Sequence, residues 1–287
     1  MMKTQEVPAK TILNPTSGFL QEGYTHTINL YRGCALGNSL CGTFCYAQHN
    51  YFVTKGRAWG SFLDVKMGFV EAYRHDYDGL KKPRVGAPQP LRIYMSSVTD
   101  PYPPQEKVLQ HTRSLLAAMI ERPPDLLVIQ SHTPLVANDL DLLRELRTRC
   151  QLQVNITVET DYDSLPGFPR HMYPPQLRLA ALGQVRLAGI TAVGVVSPLL
   201  PLQDVREFAT ALEQVCDRVI LDHYVIGDGS KNGLRTRKSG FPEMLTRAGF
   251  EHWNKLEVLA EVTAIFKEIF TDDSRITISR SGFNQTG

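Results

Sequence analysis

The sequence lacks any apolar run approaching the about 20 residues needed to cross a bilayer, so neither a membrane span nor a membrane partner is expected. Its start, Met1-Met2-Lys3-Thr4-Gln5-Glu6-Val7-Pro8, lacks the apolar stretch of a secretory signal. The expected address is therefore the cytoplasm. Charge imbalance is missing too. The 31 Lys and Arg against 29 Asp and Glu leave a formal charge of +2, too little for a global argument for nucleic-acid binding. Internal repeats, low-complexity tracts and interdomain linkers are absent. Cysteine is sparse, with five in 287 residues. In a reducing compartment these thiols suit metal binding, catalysis or burial better than disulfides.

What is present is an ordinary globular composition, 43% hydrophobic and 21% charged. Such a length buries a large core, and α/β barrels of this size fold as one domain. One domain over residues 1–287 is expected, with 1–24 as an N-terminal extension and 241–287 as a helical C-terminal cap. From Thr25 onward, apolar β-rich runs alternate with amphipathic segments. The expected strands are Thr25–Tyr31, Leu91–Met95, Leu126–Ile129, Leu152–Val158, Ile190–Val196 and Arg218–Leu221. The expected helices are Pro104–Glu121, Asn138–Leu146 with Asn138 as N-cap, Pro175–Ala188 ending at Gly189, Val205–Val215 and Leu256–Phe270. Pro83–Pro90 and Pro166–Pro175 read as loops. Six strand–helix units imply a parallel sheet, either a partial (β/α)6 TIM-like barrel or a doubly wound sheet. In both, chemistry sits beyond the C-terminal ends of the strands.

Directly after the first strand comes Tyr31-Arg32-Gly33-Cys34-Ala35-Leu36-Gly37-Asn38-Ser39-Leu40-Cys41-Gly42-Thr43-Phe44-Cys45-Tyr46-Ala47. Three thiols on one short loop can converge on one metal centre, and its glycines let the backbone wrap closely. A cluster usually takes four thiolates, and no fourth cysteine is near. Three ligands would leave one iron open, which marks a reactive site. A zinc site remains an alternative, with His49 completing a Cys3His set. Cys150 and Cys216 precede strands and read as structural.

Thr27-Ile28-Asn29-Leu30-Tyr31-Arg32-Gly33-Cys34, followed by Cys41 and Cys45-Tyr46-Ala47, resembles the radical S-adenosylmethionine (SAM) superfamily. The resemblance is to its spore photoproduct lyase-like branch. Weaker matches are Trp59-Gly60 with Asp64-Val65-Lys66, then Ser97-Val98-Thr99-Asp100-Pro101-Tyr102, and Ala188-Gly189-Ile190 with Val196-Ser197-Pro198. The family usually spaces its cysteines Cys-x3-Cys-x2-Cys, whereas this chain has Cys-x6-Cys-x3-Cys. Loops absorb such insertions cheaply.

The resemblance implies an α/β partial barrel of radical SAM type and a [4Fe–4S] cluster on Cys34, Cys41 and Cys45. SAM would be cleaved reductively to a 5′-deoxyadenosyl radical that takes hydrogen from the substrate. It also implies an electron donor of flavodoxin or ferredoxin type. For SAM it points to Phe44 and Tyr46 beside adenine, and to Ser96, Ser97 and Thr99 after the second strand. Ser131 and His132 follow the third strand, with His132 where relatives carry a lysine. Asn155, Thr157 and Glu159 would meet ribose, Arg178 the SAM carboxylate, and Ser197 closes the fifth strand. Against this stands the plainer role of Ser and Thr as helix caps and of a lone His as a structural group.

The branch's hydrogen-donor cysteine, near the end of the second strand, is missing here, so photoproduct lyase activity itself is not expected. Tyr94, Tyr102, Asp100 and His49 are candidate proton or radical relays. The segment Gly227–Gly240 carries Lys231, Arg235, Arg237 and Lys238 against Asp228 alone. Read as a flexible, glycine-rich loop, it is a candidate grip for a phosphorylated substrate or nucleic acid, or else a solvated surface loop. The rival to a radical SAM enzyme is a non-catalytic zinc protein that binds nucleic acid.

Overall fold

A computed structural model describes residues 2–82 and 89–284. Of the expected Pro83–Pro90 loop, residues 83–88 lie outside the described residues.

The strands are β1 (Lys3–Pro8), β2 (Asn14–Pro15), β3 (His26–Ile28), β4 (Tyr31–Gly33), β5 (Phe62–Met67), β6 (Arg92–Met95), β7 (Leu126–Ser131), β8 (Gln151–Thr157), β9 (Thr191–Val196), β10 (Arg218–Leu221) and β11 (Ile276–Ile278). Eight of them form one sheet in the order β11-β10-β9-β8-β7-β6-β3-β2. Every neighbouring pair from β3 to β11 is parallel, while β2 meets β3 antiparallel. The other three form a small sheet, β1-β5-β4. The fold is thus mixed α/β with a large parallel sheet, helices filling the crossovers.

Alternation along each strand sends side chains to opposite faces. Ile93, Met95, Leu127, Ile129, Val154, Ile156, Val219 and Leu221 enter the main core, together with Leu115, Leu116, Leu182, Leu212 and Phe266 from the helices. The other face is narrower and mixed. Tyr94, Leu126 and Val128 pack with Tyr24 and Leu20, and Val193, Val195 and Ile220 pack near Phe283. Between them lie buried polar groups: Gln130, Gln153, Asn155 and Thr157.

The sheet curls towards this second face. Strands six places apart in a flat sheet would lie about 29 Å apart at ~4.8 Å per strand. Yet Tyr24, beside β3, donates its hydroxyl to the Phe283 carbonyl, just past β11, at 2.7 Å. Asn284 Nδ2 likewise donates to the Phe19 carbonyl at 3.0 Å. The Tyr24 ring meets Tyr94 edge-on at 5.0 Å and plugs one end of the curled face.

Several expected elements differ in detail. The strand expected over Thr25–Tyr31 is divided between the two sheets. Asn29 marks the break: its Oδ1 accepts from the Val98 amide at 3.1 Å and its Nδ2 donates to Ser97 Oγ at 3.2 Å. The helix expected over Pro104–Glu121 is two helices, Glu106–Leu109 and His111–Glu121. They part at Gln110, whose φ of 51° leaves the helical region. Asn138 is not an N-cap. A 3-10 turn over Pro134–Asp139 precedes the helix Leu140–Leu146, and Thr133 caps that turn through the Leu135 amide. The C-terminal cap is not wholly helical, because β11 adds to the sheet beside β10. Within the 1–24 extension, β1 completes the small sheet beside β5.

Candidate functional site

Cys34 follows β4 directly. Cys41 lies within the helix Leu40–Phe44, and Cys45 ends it. Tight backbone approach shapes this segment. A Cβ on Gly42 would overlap the Gly37 carbonyl, and one on Gly37 would overlap the backbone of Gly60. Asn38 Nδ2 holds the Trp59–Gly60 turn from the other side through the Gly60 carbonyl at 2.9 Å. The three thiols share one electrostatic environment. Burial pushes the Cys34 thiol well up, and the facing Cys45 pushes it further. Burial does the same to Cys41, followed by Cys45 and Cys34, then Glu159 and Asp100. Burial pushes Cys45 up to about 11. Cys45 thus disfavours ionisation of both other thiols, and a bound metal would reverse that sign and deprotonate its ligands.

Among the described residues no three His, Cys, Asp or Glu side chains stand close enough to cage a single ion. The residues nonetheless fit a cluster's demand for soft thiolate donors on a backbone that clears a volume. His49, the candidate fourth zinc ligand, is exposed. Burial and the charge of Lys238 lower its pKa, so its charged neighbour is Lys238 rather than the thiols.

The strand ends supply the remaining groups. Ser96 closes β6 with φ at 77°, a conformation that costs a non-glycine residue about 1–3 kcal/mol. Its buried Oγ has no hydrogen-bond partner, and neither does Asn155 Nδ2 on the curled face of β8. Leaving such an atom unpaired costs roughly 1–3 kcal/mol, so both suit a site completed by a polar ligand. Ser97 meets Asn29 through its Oγ, and its carbonyl accepts the Tyr46 hydroxyl at 2.6 Å. Thr99 Oγ1 donates to the Tyr31 carbonyl at 3.3 Å. Thr157 Oγ1 accepts from Gln130 Nε2 at 2.7 Å. Ser197 Oγ donates to Asp222 at 2.8 Å.

Glu159, past the end of β8, is the electrostatic centre. Its Oε1 pairs with His132 Nδ1 at 3.1 Å and its Oε2 with Arg178. Burial alone would raise the Glu159 carboxyl, but Arg178, His132 and His171 hold it far below the usual carboxylate range. Arg178 is fully buried, and its terminal nitrogens are engaged by Glu159, the Thr157 carbonyl at 2.7 Å and His171 Nδ1 at 3.0 Å. Its Nε has no partner.

Other expected residues lie elsewhere. Asp100 is buried and accepts from the Tyr102 amide, Ser131 Oγ and the His132 amide at 2.9, 2.9 and 2.6 Å. It stitches the ends of β6 and β7 together and occupies Ser131. Tyr102 belongs to the main core, with its hydroxyl on Asp139 at 3.1 Å. It lines a separate cavity of about 350 Å³ with Glu106, Lys107, Gln110, Arg113 and Asp139. Phe44 does not face an open slot. It is buried in a second apolar cluster with Leu165, Tyr224 and Leu245, its ring edge-on to Phe241 at 5.7 Å.

The supposedly flexible basic loop is folded. Short helical turns run over Tyr224–Gly227, Lys231–Gly233 and Leu234–Arg237. Buried Asp228 pins them by accepting from the Ser230 and Thr236 amides, both at 2.8 Å. Ser239 Oγ then donates to the Thr43 carbonyl at 2.6 Å, beside Cys41 and Cys45. Arg237 lies over the Tyr224 ring at 5.6 Å, and Arg235 acts on the Tyr46 hydroxyl. Lys231 lines a second cavity, of about 440 Å³, with Ser279 and Arg280. Two residues went unread in the sequence. Asn29 joins the lead-in of the cysteine loop to the end of β6, and His171 braces Arg178. Asn29 had its signal in the lead-in motif to Cys34, whereas His171 sits in an irregular loop and carried none.

No family model matches the chain. It is 28% identical over 198 residues to the uncharacterized protein MJ0683 of Methanocaldococcus jannaschii, covering 68% of this chain and 67% of that one. It is 36% identical over 118 residues to the uncharacterized protein ORF301 of Acidianus two-tailed virus, 40% of this chain and 37% of that one. Over 202 residues it is 26% identical to the uncharacterized protein Rv2578c of Mycobacterium tuberculosis, spanning 56% of that relative. Among solved structures, a mutant spore photoproduct lyase with bound AdoMet and dinucleoside spore photoproduct superposes with a TM-score of 0.57 at 16% identity. That match covers 89% of this chain and 76% of the lyase. The fold of this chain is therefore the one found in spore photoproduct lyase.

Proposed function

We propose that this chain is a radical SAM enzyme, a single domain built on a partial (β/α)6 barrel, with Cys34, Cys41 and Cys45 holding a [4Fe–4S] cluster. The observation that carries this reading is one juxtaposition. Cys34 and Cys41 feel the charge of Cys45 and of Asp100, and Cys41 that of Glu159, near strand ends where Ser96 Oγ and Asn155 Nδ2 are buried without partners. When bound, cluster and SAM would supply one-electron cleavage of the sulfonium and a 5′-deoxyadenosyl radical.

The chain's own residues would then bind and orient. Ser96 offers SAM a hydroxyl with no partner in the protein, and Asn155, whose Oδ1 accepts from Gln153, offers its Nδ2. Glu159, held ionised by Arg178, keeps a fixed negative charge beside the site. Its partner His132 stands where the SAM carboxylate would be met. The cap over Gly227–Gly240 lies against the cysteine helix and presents Lys231, Arg235, Arg237 and Lys238 to an anionic substrate, a phosphorylated compound or nucleic acid. The end of β6, Ser96-Ser97-Val98-Thr99-Asp100, lacks a thiol, which supports an outcome other than photoproduct repair.

The test is anaerobic iron–sulfur reconstitution followed by dithionite and SAM. The expected result is a brown protein with about four irons per chain that forms 5′-deoxyadenosine. A cluster-loaded preparation that forms none, or sulfurs that take up zinc alone, refutes the reading.

A further inference from the structure

The cavity of about 440 Å³ beside the basic cap is built from two distant parts of the chain. Lys231 and Asn232 come from the cap, and Ser279 and Arg280 from the stretch directly after β11. The strands from β6 to β11 run parallel, so this stretch leaves the sheet at the same edge as Ser96. The cap that supplies the rest of the wall lies against the cysteine helix.

An unpaired hydroxyl points to a ligand. Ser279 lines the cavity at only 6% exposure, and its Oγ has no hydrogen-bond partner. It lies near enough to Asp222 to favour the ionised carboxylate, but the two do not meet with hydrogen-bond geometry. A buried hydroxyl in a core is normally paired. Ser279 also holds φ at 49°, and Asn232 in the cap holds φ at 54°. That conformation is costly for a residue other than glycine, and such strain gathers at ligand sites.

The lining selects the ligand. It holds two cations, Lys231 and Arg280, and no carboxylate. Cations joined by hydroxyl and amide donors suit an anion with several oxygens, such as a phosphate. The other cap arginines are engaged elsewhere. Arg237 Nε donates to the Asn232 carbonyl at 2.8 Å and its guanidinium lies over the Tyr224 ring. Arg235 turns towards the Asp228 carbonyl at 3.4 Å. A bounded pair of charges remains, rather than the stripe of cations that tracks a nucleic-acid backbone. The cavity is wider than one phosphate, and Val225, Ile226 and Ile278 line the remainder. Those apolar walls suit a phosphate carried on a small organic body.

We propose that Lys231, Ser279 and Arg280 form a binding site for the phosphate of a small phosphorylated molecule, the substrate class of this enzyme. The role of that molecule as substrate rests on the radical SAM reading above.

The experiment titrates inorganic phosphate into the full chain as purified, read by calorimetry. The variants are Ser279→Ala, the double variant Lys231→Gln with Arg280→Gln, and Lys107→Gln from the other cavity. Ribose 5-phosphate and a single-stranded oligonucleotide without terminal phosphates are then tried as competitors. The expected result is saturable phosphate binding that weakens at least about tenfold in the double variant and about fivefold in Ser279→Ala. Lys107→Gln binds as the parent does. Ribose 5-phosphate displaces phosphate and the oligonucleotide does not. Absence of saturable binding to the parent, or equal affinity in the parent, Ser279→Ala and the double variant, overturns the proposal. So does displacement by the oligonucleotide below the concentration at which ribose 5-phosphate acts, which would assign the cavity to nucleic acid. Failure of the radical SAM reading shows separately, as an absence of dithionite-driven 5′-deoxyadenosine in the cluster-loaded parent.

Discussion

Two polar clusters flank the ends of β6 to β8, and they are completed to different degrees. On the helix-covered side Glu106 accepts from the Tyr31 hydroxyl and from the Thr112 amide. Asp139 there accepts from Tyr102 and Arg113, both at 3.1 Å. Every carboxylate oxygen named has its donor, although Gln105 Oε1 and His111 Nε2 beside them have no partner. On the curled side Ser96 Oγ and Asn155 Nδ2 have none, and burial raises all three cysteine thiols. A protein core completes its own hydrogen bonds, whereas a binding site leaves some of them for the ligand. The difference is one of degree, and what sets the second cluster apart is its soft donors: three cysteines stand there and none in the first.

The strongest attempt to break that contrast removes a thiol. Replacing Cys34, Cys41 or Cys45 by Ala should abolish cluster loading and bring 5′-deoxyadenosine formation to background. Cys216→Ala should leave both intact, because that thiol is buried against the Leu212 carbonyl at 3.0 Å. Iron analysis and product chromatography check both statements. If a cysteine-loop variant kept its iron, the curled side would lose its claim to the chemistry.

Next in size is the buried Glu159–Arg178 ion pair. Glu159→Ala leaves the Arg178 guanidinium buried and without its carboxylate, which costs about 3–5 kcal/mol for a buried pair. Urea unfolding reads this directly. The pair also sets a pH limit. The Glu159 carboxyl is held below its ordinary value in the folded chain, so its contribution is fully present above the unfolded value of about 4.3. It is lost as pH falls from there towards the depressed folded value. The variant should lack this acid-side loss.

Phe44→Ala comes third. Phe44 lies in the small apolar cluster between the cysteine helix and the C-terminal cap. Truncating a buried phenylalanine costs about 3–5 kcal/mol, with this site at the lower end because its cluster is small. Hydrogen exchange should quicken in residues 224–247 while the main sheet stays protected. Uniform quickening would mean that the cap and the sheet open as one unit.

The parallel sheet was legible because apolar periodicity reports burial: β7 is apolar through Leu126–Ile129, and β8 keeps Leu152, Val154 and Ile156 on the core face while Gln153, Asn155 and Thr157 face the other side. Leu126–Ile129 and Leu152–Val158 reappear within β7 and β8 almost residue for residue. β1 was not legible: Lys-Thr-Gln-Glu-Val-Pro is a polar, exposed edge strand fixed only by its partner β5. β11 has three residues and gains its identity from β10. The cysteines were legible because three thiols in twelve residues need no tertiary information. Phe44 and Tyr102 were singled out by their place beside a motif, and their packing partners in the two apolar clusters were not legible. Adjacency to a motif says which residues are near it along the chain, and not towards which side of the sheet a side chain turns.

Glu106→Gln tests the completed cluster, with the smallest effect. Burial raises the Glu106 carboxyl from 4.5 to about 7, against the Tyr31 and Thr112 hydrogen bonds, which lower it. The folded chain therefore keeps a proton on Glu106 at pH values where the unfolded chain has released it. Stability from this site is fully present below 4.5 and is lost as pH rises to about 7. The slope is at most about 1.4 kcal/mol per pH unit. Glutamine can take over both contacts, its oxygen accepting from the Thr112 amide and its nitrogen donating to the Tyr31 hydroxyl, which accepts equally well. The variant should match the parent at pH 5 and exceed it at pH 8 in urea midpoint. Tyr31→Phe should move the window upward, because it removes a bond to the ionised form. Parallel midpoints for parent and Glu106→Gln across that range would mean that water reaches Glu106. The helix-covered cluster would then be as open to solvent and ligand as the curled one.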